Sequence, residues 1–260
     1  MAHSIRGLTM RVSMPAVSLL ALAASHVCAQ GPAKFPPDSL VNTKVIPKST
    51  PVLQVIGTMR NFTSDLGVRC QFCHVGEEGQ PLAQFNFVSD EKRTKLVARQ
   101  MMLLVQEANR RVDTLPGHQP DDPQVTCATC HRGASKPMTL SAVIIAAATT
   151  GGADSAVKAY RALRQRYYGS GAYDFGEGQL NIAAFRLGRV NKFDEALAVL
   201  RLNEEFYPNS SGMYVFRGNV LLMRADTAGA ATAYREAIRR DSTNNEAKGR
   251  LRDIGRPPLR

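Results

Sequence analysis

Four cysteines and two histidines carry the chemistry that this sequence could perform. They fall in two pentapeptides, Cys70-Gln71-Phe72-Cys73-His74 and Cys127-Ala128-Thr129-Cys130-His131. In each, two thiols stand about one helical turn apart and an imidazole follows at once. That is the pattern of covalent haem attachment. The thiols reach the two vinyl groups of one porphyrin, and the histidine presents a nitrogen to the iron. Two other uses of cysteine compete. A four-cysteine zinc site would leave both histidines without a role. A pair of small disulfides would suit an oxidising compartment but also ignores the histidines. The expectation is two covalently bound haem c groups. Their thioethers fall on Cys70, Cys73, Cys127 and Cys130, and their axial ligands are His74 and His131.

The fifth cysteine, Cys28, lies in what reads as a leader. Arg6 and Arg11 precede a short apolar run at residues 16–24, and Val27-Cys28-Ala29 ends in small residues. This is the pattern of an export signal cleaved after Ala29. Lipid anchoring through Cys28 is the weaker reading, because Ser25-His26-Val27 is a poor lipoprotein signal. The 260-residue chain carries a net charge of +11; without residues 1–29 it keeps 31 basic and 22 acidic residues, or +9. Every remaining cysteine then belongs to a Cys-x-x-Cys-His unit. After residue 29 no stretch reads as long and apolar enough to span a membrane. The expected location is the periplasm, with attachment to the inner membrane through a complex or an N-terminal anchor. A basic exported chain suits acidic proteins or anionic lipid, and export argues against nucleic acid.

The elements that must position these ligands precede them. Upstream of the first signature, Pro51 suits a first helical turn and Gly67 a helix end. Between them Val52, Val55, Ile56 and Met59 recur at helical spacing. A stripe methionine is as a rule core. Here a haem must be capped close by, and Met59 reads as the sixth ligand of the first iron. Before the second signature, Ser89 reads as an N-cap with Asp90 and Glu91 in the first turn. Leu96, Val97, Met101, Leu104, Val105 and Ala108 share one face. Met101 lies on its centre line and Met102 about 100° away, so Met101 reads as the ligand of the second iron and Met102 as packing. Arg99 and Arg132 are the candidates for haem-propionate contacts; a solvated helix face explains them equally well.

The segments "MRNFTSDLGVRCQFCH", "NFVSDEKRTKLVARQMM" and "VTCATCHRGASKP" resemble the cytochrome subunit of photosynthetic reaction centres, over roughly residues 40 to 140. The resemblance implies repeated units, each a methionine-bearing helix, a turn and a second helix opening at Cys-x-x-Cys-His. It assigns ligand roles to Met59 and Met101, with Asn109 as a landmark eight residues after Met101. The family's subunit carries four haems and this chain has signatures for two, which puts direct service to a reaction centre in doubt. In the family a histidine shortly before a signature ligates a haem of another unit. His118 sits near that place, as a solvated loop residue or an alternative ligand of the second haem.

Residues 151–260 hold no cysteine and no histidine. Two segments there align at an offset of 34 residues, with Ala184 on Gly218, Leu187 on Leu221, Ala196 on Ala230 and Leu200 on Tyr234. That is the period of tetratricopeptide repeats. An irregular hairpin, "LSAVIIAAATTGG" and "ADSAVKAYRALRQRYYG", precedes them. The expected fold class is all-α: a small multihaem c-type cytochrome domain of helix–turn–helix haem units, then an α-solenoid of tetratricopeptide-like hairpins. The expected boundaries are 1–29 for the signal, 30–140 for the dihaem domain, 141–179 for the linker and irregular hairpin, and 180–260 for the repeats. Single-electron transfer between periplasmic or membrane-bound redox proteins is the leading functional reading, with the repeats docking a partner. The competing readings are a peroxidase-like dihaem enzyme with one open iron, and a repeat scaffold in a redox complex.

Overall fold

The computed structural model describes residues 34–255, so the leader, Cys28 and the last five residues lie outside the described residues. The described chain is all-helical apart from one isolated bridge between Val75 and Asn86. Helix α1 (Val52–Leu66) follows Pro51 and ends at Gly67, which is left-handed at φ 62°. A 3-10 turn, Cys70–Phe72, opens the first signature. Helix α2 (Arg93–Val112) leads by a loop to α3 (Cys127–His131), which is the second signature itself.

Sequence expectation and structure part at the start of α2. The helix begins at Arg93 after Lys92, three residues later than a Ser89 cap would allow. Ser89 Oγ accepts instead from the Glu91 amide at 3.2 Å, and Asn86 Oδ1 accepts from the amides of Val88 and Ser89. Asp90 is drawn into an ion cluster with Lys95 and Arg99. Local capping propensity gives way here to longer-range charge pairing.

Helix α4 (Leu140–Tyr167) is capped by Thr139, whose hydroxyl accepts from the Ala142 amide. Gly152 interrupts it at φ 73° and ψ −167°, a conformation open essentially to glycine alone. The two expected segments therefore run as one element with a break. The whole span has the length and composition of a membrane helix, but the break at Gly152 leaves neither half long enough to cross one. Leu140, Ile144 and Ala148 before the break, and Ala156 and Tyr160 after it, are buried in the core that α4 shares with α5 and α6.

The remaining helices are α5 (Glu177–Arg189), α6 (Phe193–Phe206), α7 (Ser211–Met223), α8 (Thr227–Arg240) and α9 (Asn245–Ile254). Their starts keep strict time: α7 begins 34 residues after α5, α8 34 after α6, and α9 34 after α7. The caps repeat with them. Ser210, Asp226 and Asn244 each accept from the backbone amide three residues on. Successive helices pack against one another and share one core. Inside the first pair, the buried Asn203 donates to Asn181 Oδ1 at 2.8 Å and to the Glu177 carbonyl at 3.0 Å, fixing α6 against α5. These are helical repeats in the plain structural sense.

Candidate functional site

The burial pattern separates the two halves. Nearly all buried apolar side chains lie from Leu140 onward; before it the described residues include only Phe85 and Ala134. Helix α1 buries none of its residues fully, and α2 buries only Lys95. Yet both helices are amphipathic. Leu96, Val97, Met101 and Leu104 are all exposed, Met101 at 41%. Met59 is half-buried on α1, and Met102 half-buried on α2. Apolar stripes that no protein core covers match a large flat apolar group better than they match solvent.

Each signature is held by a helix from elsewhere in the chain. At the first, Lys92 Nζ donates to the carbonyl of Gln71, and Thr94 Oγ1 to that of Phe72. The first turn of α2 thus grips the pentapeptide. Phe87 stacks edge-on against the His74 ring at 4.9 Å between centroids. Burial, followed by the charges of Lys95, Arg99 and Lys92, pushes the His74 pKa down to about 4. The imidazole is therefore neutral at ordinary pH, as an iron ligand must be. Burial also raises the Cys73 thiol.

At the second signature the grip comes from both helices. The Asn109 carboxamide, near the end of α2, donates to the Val125 carbonyl at 2.9 Å and accepts from the Val125 amide at 2.7 Å. This two-point clamp sets the chain two residues before Cys127. Helix α1 packs against α3, and the Gly133 amide donates to the Asp65 carbonyl at 2.8 Å. Thr126 and Thr129 form a capping box on α3. His131 Nδ1 lies 2.9 Å from the Ala134 carbonyl. That bond assigns the proton to Nδ1 and leaves Nε2 with a free lone pair, the arrangement a metal-bound histidine uses. Burial, then the nearby Asp65 carboxylate, raises the Cys127 thiol.

The four cysteines are free thiols, and no three His, Cys, Asp or Glu side chains among the described residues converge on one metal position. The two thiol pairs stand apart from each other among the described residues. Their donor set, the ready tautomer of His131 and the uncovered apolar stripes fit haem c.

Residues 54–164 match the family described as "Photosynthetic reaction centre cytochrome C subunit". The matched region spans both signatures, α2 and most of α4. Within the whole chain, 83 residues are 39% identical to cytochrome c-554 of Chloroflexus aurantiacus, covering 31% of this chain and 18% of that protein. The chain thus spans less than a fifth of the length of the curated relative it matches. Both similarities are to c-type cytochromes, and each covers less than half of this chain.

Other sequence candidates land as follows in the cytochrome region. Arg99 gives one nitrogen to Asp90 Oδ2 at 2.9 Å and another to the Asn42 carbonyl at 3.0 Å. Its charge acts on His74 of the first signature. Arg132 is exposed and left-handed at φ 49°, closing α3. His118, 13% exposed in its side chain, sits between Asp113 and Asp122 at 3.4 and 3.3 Å. Lys95 belongs to no motif and reads in the sequence as one of several basic residues near these helices. It is buried, donates to the carbonyls of Phe87 and Ser89 at 2.8 and 2.7 Å, and pairs with Asp90 at 3.0 Å. In sequence it sits in a lysine-rich run that looks solvated.

Arg99 first, then Lys95 and Asn42, hold the Asp90 carboxyl well below the usual carboxylate range. A depressed folded value favours the ionised form in the folded protein. The stabilisation is complete above pH about 4 and declines as pH falls below that toward the folded value. Acid titration followed by circular dichroism should show this loss in the natural chain, and a shallower one in Asp90→Asn.

Proposed function

We propose that the chain is an exported dihaem c-type cytochrome that relays single electrons between periplasmic or membrane-bound redox proteins, one of them a photosynthetic reaction centre or a comparable oxidant. The observation that carries this is the pair of Cys-x-x-Cys-His units, each clamped by a different part of α1 or α2 and each with a neutral or ligand-ready histidine. Haem, once bound, supplies a one-electron couple whose potential the protein tunes. The chain's residues do the rest. Cys70, Cys73, Cys127 and Cys130 would anchor the haems, and His74 and His131 would each ligate one iron. Met59 and Met101, on the uncovered apolar stripes, would supply the further iron ligands. His118, enclosed by two carboxylates, secures its own loop.

The repeats that follow carry a net charge of +6 over residues 151–260, from 18 basic and 12 acidic side chains. With their 34-residue period they are of tetratricopeptide type, and they dock an acidic protein partner. The test is expression with a c-type haem-maturation system and mass measurement of the intact protein. Two haem increments are expected, falling to one in Cys70→Ser/Cys73→Ser and in Cys127→Ser/Cys130→Ser. Magnetic circular dichroism of the oxidised protein should show low-spin, six-coordinate iron at both sites. A dominant five-coordinate, high-spin population would instead support the peroxidase-like reading.

A further inference from the structure

The two signatures sit in opposite electrostatic surroundings. At the first, the protein gathers cations. Lys92 is bonded to the backbone of the pentapeptide itself, at Gln71. Lys95 is bonded to the carbonyl of Phe87, whose ring rests on His74. Lys95 and Arg99 share a single carboxylate, Asp90, at 3.0 and 2.9 Å. Two cations against one anion leave positive charge over. The Lys95 and Arg99 side chains are only 11% and 15% exposed, so water screens that charge poorly. His74 Nδ1 is buried without a hydrogen-bond partner, so no acceptor makes this imidazole more basic.

The second signature is the reverse. His131 Nδ1 has the Ala134 carbonyl at 2.9 Å, a bond that makes a histidine a stronger donor to its metal. The neighbouring carboxylate is Asp65, at the end of α1, and the nearby cation, Arg132, is exposed to solvent.

Reduction adds one negative charge to a site. Poorly screened positive charge favours that added electron; a more basic axial histidine favours the oxidised form. We infer that the site built on Cys70, Cys73 and His74 has the higher reduction potential of the two. An electron shared within the molecule then rests mainly at the first signature, which becomes the side that faces the acceptor. As the second site is oxidised the first is reduced, with no bond made or broken and no proton required. This inference rests on the two-haem reading above.

The test uses the full-length holoprotein and a spectroelectrochemical titration that resolves two one-electron waves. Lys92→Gln removes one cation yet leaves the buried Lys95 contacts in place. Asp90→Asn removes the shared anion. The upper wave should move down in Lys92→Gln and up in Asp90→Asn. Each shift should be roughly three- to tenfold in the equilibrium between the sites, tenfold being about 59 mV for one electron. The lower wave should stay in place. A structural disturbance would send both variants the same way, so the opposite signs isolate the electrostatic cause. Movement of the lower wave, of both waves together, or of neither overturns the inference. Fewer than two haem increments by mass would instead overturn the two-haem reading and the inference with it.

Discussion

Replacing Gly67 by alanine is expected to destabilise the haem-signature half of the molecule by about 3 kcal/mol. Two effects add. Gly67 is left-handed at φ 62°, where an L side chain costs roughly 1–2 kcal/mol. Its Cβ would also overlap the Gly133 carbonyl oxygen and stand 2.9 Å from the Gly133 carbonyl carbon, backbone atoms that cannot swing away. Relief requires α1 to part from the turn after α3, which breaks the Gly133-to-Asp65 hydrogen bond, worth about 1 kcal/mol. Gly133→Ala is the control. Gly133 is also left-handed, at φ 85°, but its Cβ would meet nothing nearer than 3.9 Å. It should lose only the conformational part. Thermal unfolding followed in the haem absorption band measures both variants, and far-ultraviolet circular dichroism follows the repeats, whose transition should not move. Equal losses from the two glycines would mean that the close approach contributes nothing.

That contact also bears on function. Gly67 ends the helix that carries Met59, yet it touches the turn after the second signature, where His131 meets the Ala134 carbonyl. Arg166, near the end of α4, donates to the Gly67 carbonyl at 3.2 Å, so the same point links α1 to α4. In the other direction, the start of α2 grips the first signature while its end clamps the second through Asn109. Helices α1 and α2 thus each contribute main-chain or side-chain contacts that fix the backbone around the signatures.

What the sequence disclosed follows the same division. Gly67 was readable as a helix end because its conformation is nearly residue-specific, and the helix does stop there. The 34-residue offset was readable because repeated packing demands repeated small residues, and the helix starts obey it through α9. Ser89 misled because its own preference for a cap was outweighed by Asp90, whose partners Lys95 and Arg99 lie five and nine residues away and whose third partner is Asn42. The burial of Lys95 had no local signal at all. Its carbonyl acceptors come from the turn at 87–89, and only the folded chain brings them to one point. Asn109 was legible as a landmark by resemblance, but its bond to Val125 joins residues 16 apart across a loop and could not be read from spacing.

The second large effect lies in the repeats. Gly218→Ala is expected to cost about 2–3 kcal/mol, because the added carbon would press on the Tyr234 ring, with Cζ at 2.6 Å. Tyr234 is fully buried, and its hydroxyl donates to Asn219 Oδ1 at 2.7 Å, so the ring cannot simply turn aside. Thirty-four residues earlier the same two places are held by Ala184 and Leu200, both buried. One repeat therefore joins a small residue to a flat aromatic one, and the other joins a slightly larger residue to a slightly shorter one. Tyr234→Leu alone should leave a cavity and an unpaired Asn219, costing about 2 kcal/mol. The double variant Gly218→Ala/Tyr234→Leu recreates the earlier pair, and much of the overlap penalty should vanish. Urea unfolding of the four chains gives the coupling directly, expected at about 1–2 kcal/mol in favour of the double variant. Simple additivity would show that the two repeats pack by different rules despite their common period. A strong coupling would show that the close approach of α7 to α8 is set by the sum of two side chains rather than by glycine alone.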